Sequence, residues 1–284
     1  MKRITWKRIR IGLAAFALLA LLLSAWAFLI EPDRLILHEQ TIVLPHWPRE
    51  LDGLRVAVLS DIHAGSPFIN TEKLNEIVQR TNETRPDLTV ILGDLMVRDR
   101  FYRHPLDPAM IASALKGLHA RLGVYAVLGN HDWWFDGPRV QLALTNAQIT
   151  VLENEVLQVQ SNGSSFFLCG ISDLWTRPQD IPGTLQKIPD GVPAIAITHN
   201  PDIFPDLPAR VALTLAGHTH GGQVNLPFIG RPVVPSRYDQ RYAAGLIQEG
   251  DKQLFVTTGI GTSIIPVRFR VPPEIAILTL MASK

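Results

Sequence analysis

Five times along this chain an apolar run of strand length stops at a polar cluster. Residues 54–59 (LRVAVL) lead into Asp61 and His63, and 88–92 (LTVIL) into Gly93 and Asp94. Residues 124–128 (VYAVL) lead into Gly129, Asn130, His131 and Asp132. Residues 194–198 (AIAIT) lead into His199 and Asn200, and 211–216 (VALTLA) into Gly217, His218, Thr219 and His220. Short apolar runs closed by turn residues read as strands buried on both faces. Between the first three, Leu74, Ile77 and Val78 mark the inner face of a helix over 71–81, and Ile111, Leu115, Leu118 and Leu122 that of a second. Strands alternating with helices predict an α/β domain with parallel strands. From about Ile149 the strands come closer together, at 150–152, 156–160 and 165–170. That spacing predicts a second, more nearly antiparallel sheet packed on the first. Residues 34–48 read as a short strand and turn, and 246–247, 254–256 and 275–280 are strand-like as well. No linker divides the body, so residues 31–284 are expected to form one catalytic domain.

In α/β sheets, ligands bind beyond the carboxyl ends of the strands. Five such ends bring Asp61, His63, Asp94, Asn130, His199, His218 and His220 to one rim. The donors are carboxylate and amide oxygens and imidazole nitrogens, without thiolate. This set suits manganese first, with iron or zinc as alternatives, over calcium or copper(I). Seven ligands with one shared carboxylate suffice for two divalent ions, which at ~3.5–4 Å apart polarise a phosphoryl group and acidify water. Gly93, Gly129 and Gly217 allow the turns to approach the ions closely. On an extended segment alternate residues point the same way, so His218 and His220 are expected to serve neighbouring ions. Any one of these clusters alone reads as a surface turn or helix cap; five in order, each at a strand end, do not. His38, His46, His104 and His119 lie in no cluster and read as ordinary polar residues.

These blocks, D-x-H, G-D, G-N-H-D, H and G-H-x-H in that order, resemble the calcineurin-like metallophosphoesterases from about Arg34 to the C-terminus. The longer forms GHTHGGQ and LDGLRV before SDIH are similar to a bacterial, often membrane-associated branch. Some of its members act on lipid-linked substrates such as UDP-2,3-diacylglucosamine. The resemblance implies a four-layer α/β/β/α sandwich with a dinuclear centre. Asp61, His63 and His220 would hold one metal and Asn130, His199 and His218 the other, with Asp94 bridging. His131 would face the substrate, protonating the leaving oxygen or stabilising phosphoryl charge. Asp132 would orient His131 or a neighbouring ligand.

Ahead of the body, residues 11–30 carry no charge. Some twenty apolar residues are what a helix needs to cross a ~30 Å hydrocarbon core. Ala25-Trp26-Ala27 offers a signal-peptidase site, but the apolar run is longer than the ~7–15 residues of a signal core and continues past it. An uncleaved transmembrane anchor is therefore expected. Lys2, Arg3, Lys7, Arg8 and Arg10 precede it without an acid, so residues 1–10 should stay cytoplasmic and the body should lie outside, against the bilayer. Those five of the 27 bases leave the rest with 22 against 26 acids. A net −4 body lacks the field to gather nucleic acid, and no obligate protein partner is evident. A single cysteine, Cys169 in an apolar run, excludes an internal disulfide and reads as a buried hydrophobe.

Substrate hints flank the motifs. Arg98, Arg100 and Arg103 could reach a second phosphate, or form a solvated basic loop. Trp133 and Trp134 could wall an acyl chain, stack on a base or pack in the core. The proline-rich apolar segment 226–237 suits a loop against the bilayer or a hydrophobic lid. The chain thus reads as a membrane-anchored phosphoesterase cleaving a phosphodiester or pyrophosphate bond, with a lipid or nucleotide on the substrate. A phosphomonoesterase and a non-catalytic metal-binding scaffold are the rivals.

Overall fold

The computed structural model describes residues 6–97 and 105–283. Strands β1 (Ile36–Leu44), β2 (Leu54–Leu59), β3 (Leu88–Ile91), β4 (Val124–Ala126), β5 (Thr150–Val151) and β12 (Glu274–Ala282) form one six-stranded sheet in the order β1-β12-β2-β3-β4-β5. Strands β6 (Glu155–Ser161), β7 (Ser164–Ile171), β8 (Ala194–Thr198), β9 (Val211–Ala216), β10 (Gly245–Glu249) and β11 (Lys252–Val256) form the other, in the order β10-β11-β9-β8-β7-β6.

Strand alternation sorts the side chains into layers. Val56 and Val58 of β2 meet Phe166, Leu168, Ile195, Ile197 and Leu213 of the second sheet in a core between the sheets. Ala57 and Leu59 point the other way, under helices α2 (Thr71–Glu83), α3 (Pro108–Leu115) and α4 (Asn130–Asn146). Phe167, Cys169 and Ile171 of β7 pack beneath the short helix α5 (Ile181–Leu185) and the turn at Pro201–Asp206. The result is an α/β/β/α sandwich. Burial pushes the Cys169 thiol up to about 12, so it behaves as a hydrophobe.

Three expectations need correction. The second sheet is parallel through its centre: β7–β8, β8–β9 and β9–β11 are parallel, and only the edge pairs β6–β7 and β10–β11 are hairpins. The short connections looked like hairpin turns, yet α5 and the 201–206 turn cross over the outer face between parallel neighbours. Residues 150–151 pair with β4 at the edge of the first sheet, and β12 inserts between β1 and β2. Helix α3 starts under an Asp107 cap with Pro108 at its first position but stops at Leu115, where Gly117 lies so close to Val78 that a Cβ there would sit 3.0 Å from its Cγ1. Leu118 still reaches the core from the turn beyond.

Ahead of the sandwich, helix α1 (Trp6–Ala25) continues through a wider turn to Ile30, and it is long and apolar enough to cross a membrane. Its foot is clasped by the body. The Glu31 carboxylate, 2% exposed, accepts from Trp26 Nε1 (2.6 Å) and from the backbone N of Val271 (2.7 Å), while Arg268 N donates to Ala27 O (2.9 Å). Arg268 is fully buried, and its guanidinium donates to the carbonyls of Thr258, Gly259, Gly261 and Val271. Burial lowers its pKa to about 10, opposed by Asp61, Glu274 and Glu31. Gly261 N in turn donates to Asp61 O (2.6 Å), so the clasp leads directly to the site. Arg268→Ala leaves these buried acceptors and acids without their cation. It is expected to lower stability by roughly 3–5 kcal/mol, read as a fall in the urea midpoint; an unchanged midpoint would mean that the guanidinium is not what holds this loop.

Candidate metal centre

The carboxyl ends of β2, β3, β4, β8 and β9 meet at one edge of the sandwich. Asp61, His63, Asp94, His218 and His220 all have left-handed backbones, with φ between 46° and 69°. For non-glycine residues this conformation costs on the order of 1–3 kcal/mol each and persists only where surroundings enforce it. Here Asp61 N donates to Gly93 O (3.0 Å), His63 N to Asp94 O (3.0 Å), and Gly217 N to His199 O (2.9 Å). Both carboxylate oxygens of Asp61 accept from His218 N, at 3.1 and 3.0 Å. Gly93 combines φ 90° with an approach so close that a Cβ would lie 2.3 Å from Gly129 N; at Gly217 a Cβ would lie 1.9 Å from Ser60 Oγ. The GHTH segment is therefore not extended. His218 and His220 face the same centre because left-handed residues flank the helical φ of Thr219.

Two groups of donors share Asp94. In one, His63 Nε2 stands 3.1 Å from His220 Nε2, and His220 Nε2 3.4 Å from Asp61 Oδ1. In the other, His199 Nε2 is 3.1 Å from both Asn130 Oδ1 and His218 Nδ1. Asp94 Oδ2 lies 3.2 Å from His199 Nε2 and 3.7 Å from His63 Nε2. The ring tautomers are set from behind. His63 Nδ1 donates to Met96 O (3.0 Å) and His199 Nδ1 to Leu92 O (2.8 Å), so each Nε2 faces the cluster. Asp61, Asp94 and Asn130 Oδ1 also present acceptors there, all buried. Oxygen and nitrogen lone pairs converging in a buried site fit divalent cations between them.

The electrostatics agree with that fit. Burial, then the neighbouring His131, pushes His63 down to about 3; burial, then His199, does the same to His218. Burial also holds His220 well below the usual range. These imidazoles are neutral and ready to ligate. Burial raises Asp61 to about 6. At Asp94 burial works against the charge, but His199 beside it outweighs burial and keeps the carboxyl well below its usual value. At His199 burial is likewise outweighed, by Asp94 and Asp61, which lift it to about 10.

His131 sits one residue into α4. Its backbone N donates to Asp94 Oδ1 (2.8 Å), and its ring lies 4.7 Å from that of His63 and 5.1 Å from that of Trp134. Asp132 is fully buried, with one carboxylate oxygen on Met96 N (2.9 Å) and the other on Gly129 N (3.0 Å). It thereby braces the strand ends that aim His63 and cap α4. Burial, then Asp94, raises its pKa to about 7.

A cavity of about 480 Å³ opens above the cluster, its floor made by Asp94, Asn130, His131 and His218. Trp134 and Trp175 stack in one wall, with ring centroids 6.3 Å apart, and Trp175 meets His218 edge-on at 4.3 Å. Trp133 is not part of the cavity. It packs against the core under α4, with Arg177 over its ring at 4.5 Å. Arg98, Arg100 and Arg103 lie outside the described residues, as does His104. Trp175 was missed in the sequence, although β7 ends like the other strands, in a polar Ser172-Asp173 pair just ahead of it. Gln223, the last residue of GHTHGGQ, and Val233 and Pro235 of the 226–237 segment also line the cavity, as does Ile264, which carried no motif.

Residues 54–222 match the family model for calcineurin-like phosphoesterases. The chain is 33% identical over 277 residues to a metallophosphoesterase of Bacillus subtilis, YkuE, covering 96% of this chain and 94% of the relative. It is 30% identical over 233 residues to the phosphodiesterase YaeI of Escherichia coli, covering 80% and 82%. A transmembrane protein with a metallophosphoesterase domain from Danio rerio is 32% identical over 262 residues, covering 82% of this chain and 54% of the relative.

Proposed function

Because the chain belongs to the calcineurin-like phosphoesterase family and is a metal-dependent phosphoester hydrolase, we propose that it is a membrane-anchored phosphodiesterase or pyrophosphatase. The observation that carries the reading is the convergence of seven Asp, His and Asn donors, Asp94 at their centre, beneath a cavity with an aromatic wall. Asp61, His63 and His220 would hold one ion, Asn130, His199 and His218 the other, and Asp94 both, with manganese as the first candidate. Bound divalent ions polarise the phosphoryl group and lower the pKa of water.

The chain's own residues do the rest. His131 lies on the cavity floor beside Asp94, placed to give a proton to the leaving oxygen or to oppose the charge growing on phosphorus. Asp132 and Met96 keep His63 in its tautomer and orientation. Trp134 and Trp175 offer an apolar surface to the group esterified to the phosphate, an acyl chain or a base.

Helix α1 supports a membrane location, as does the likeness to the transmembrane relative. The basic residues before it favour a cytoplasmic N-terminus and a catalytic body beyond the membrane, where the substrate would be a phospholipid or another lipid-linked diester. A nucleotide-activated lipid such as UDP-2,3-diacylglucosamine would require the opposite face.

The test uses the detergent-solubilised full chain loaded with manganese. It is offered a bis-aryl phosphodiester, an aryl phosphomonoester and UDP-2,3-diacylglucosamine. The expected result is a kcat/KM for the diester at least ~10-fold above the monoester, which is ~1.4 kcal/mol of transition-state preference. Preference for the monoester would make the protein a phosphomonoesterase. Full metal loading without turnover of any of the three would make it a scaffold. Release of UMP would put the body on the cytoplasmic side.

A further inference from the structure

Two segments outside the metal centre expose large apolar side chains. In one, Phe228 is 109% exposed, Ile229 65% and Val233 72%; in the other, Ile264 is 64% and Ile265 50% exposed. Phe228 and Ile264 are held at φ 68° and 64°, a conformation that bulky residues adopt only when the surroundings impose it. Scattered exposed apolar residues need no explanation, but these are tied together. Leu226 and Gly230 close a tight loop with two backbone bonds that puts Phe228 at its tip. Asn225 N donates to Phe269 O and Phe269 N to Gln223 O, both at 2.9 Å, and the Gln223 side chain bonds Ile265 O (3.2 Å) and Ser263 N (2.7 Å).

The next residue back, Arg268, donates to Ala27 O at the foot of α1, and Val271 N to the buried Glu31 carboxylate. The apolar tips therefore continue from the end of the membrane helix through one hydrogen-bonded strip. The same strip reaches the cavity, because Val233 and Ile264 line it together with Asp94 and His131.

Charge points to the same occupant. Residues 223–238 and 257–273 contain no Asp or Glu; besides the buried Arg268 they carry Arg231, Arg237, which also pairs with Asp202, and Arg270. Arg237 and Arg270 are exposed, as is Arg34 just after the helix, beside an Asp33 that pairs with Lys73. Apolar tips flanked by exposed arginines suit the headgroup region of an anionic bilayer, where the tips enter the acyl boundary and the guanidinium groups meet phosphates.

We propose that Phe228, Ile229, Val233, Ile264 and Ile265 form a collar seated in the lipid interface beside α1, so that the cavity receives phosphodiester lipids from the membrane itself. The proposal rests on α1 being a membrane anchor. It commits to a lipid surface, and explains why the mouth of a polar metal site is rimmed by exposed aliphatic and aromatic side chains.

The experiment uses the full chain in vesicles of phosphatidylethanolamine and phosphatidylglycerol, with an environment-sensitive fluorophore on single introduced cysteines. Cys169 is buried and takes no label. Labels go on Phe228→Cys, on Leu18→Cys within α1, and on Asn162→Cys in the β6–β7 turn. The expected result is quenching by nitroxide-labelled phospholipids at positions 228 and 18 but not at 162. Quenching at 18 with none at 228 beyond that at 162 overturns the collar and leaves the anchor standing. Absence of quenching at 18 overturns the anchor, and the collar with it. In the same vesicles, Phe228→Ser combined with Ile229→Ser is expected to lower turnover of an embedded phosphodiester lipid by about tenfold, with a water-soluble bis-aryl diester hydrolysed at the parent rate. Equal rates on the embedded lipid would also overturn the proposal.

Discussion

Asp94→Asn is expected to bind fewer than two metal equivalents and to lower phosphodiester turnover by at least ~10³-fold, with the fold retained. The substitution keeps the volume and an oxygen able to accept from His131 N, so the start of α4 should stay in place. What it removes is the negative charge that faces both donor groups, 3.2 Å from His199 Nε2 and 3.7 Å from His63 Nε2. Without that charge the two groups lose the one carboxylate that faces both sets of imidazoles, and His199 loses the neighbour chiefly responsible for raising its pKa. Metal content by elemental analysis and kcat on a bis-aryl diester, measured on the same sample, check the prediction. Two full equivalents with parent turnover would mean that Asp94 is not shared between ions. A lowered melting temperature in the metal-free protein would instead assign the carboxylate a mainly structural role.

The residues that were legible are those where one physical cause acts locally. Strands such as 54–59, 194–198 and 211–216 are buried on nearly every residue, so they spell themselves as largely apolar runs, and their observed bounds match the runs. A buried Asp or His immediately after such a run has little reason to be there other than chemistry, which is why the five clusters could be read in order. Elsewhere the decision lies in contacts between distant residues. Trp133 and Trp134 are neighbours in sequence, but one helical step sends one under Arg177 and the other into the cavity. Helix α4 was illegible because Asp136, at φ −173°, breaks it ahead of Gly137-Pro138 and resets its periodicity. The parallel centre of the second sheet was hinted at by the two-faced burial of 194–198 and 211–216, but the short connections between its strands masked it. The clasp between Glu31 and Val271 joins residues 240 positions apart, and no local pattern announces it.

His131→Ala separates chemistry from construction. The residue touches the metal centre in two ways, through its backbone N on Asp94 Oδ1 and through a ring that lies on the cavity floor beside His63 and Trp134. Alanine keeps the first contact and deletes the second, so the variant is expected to retain both metal equivalents and the parent melting temperature. Turnover should fall roughly 10²–10⁴-fold, the range for losing a positioned acid or a transition-state charge partner. The size of the loss should depend on the leaving group. If the ring delivers a proton, an alkyl diester, whose alkoxide leaves poorly, should suffer more than a nitrophenyl diester, whose phenolate needs little help. If the ring only balances charge on the phosphoryl oxygens, the two should fall alike. Measuring kcat/KM for both substrates beside metal content decides between these roles. Parent activity in His131→Ala with metals bound would remove the residue from the mechanism altogether, and a loss of metals would place it among the ligands instead.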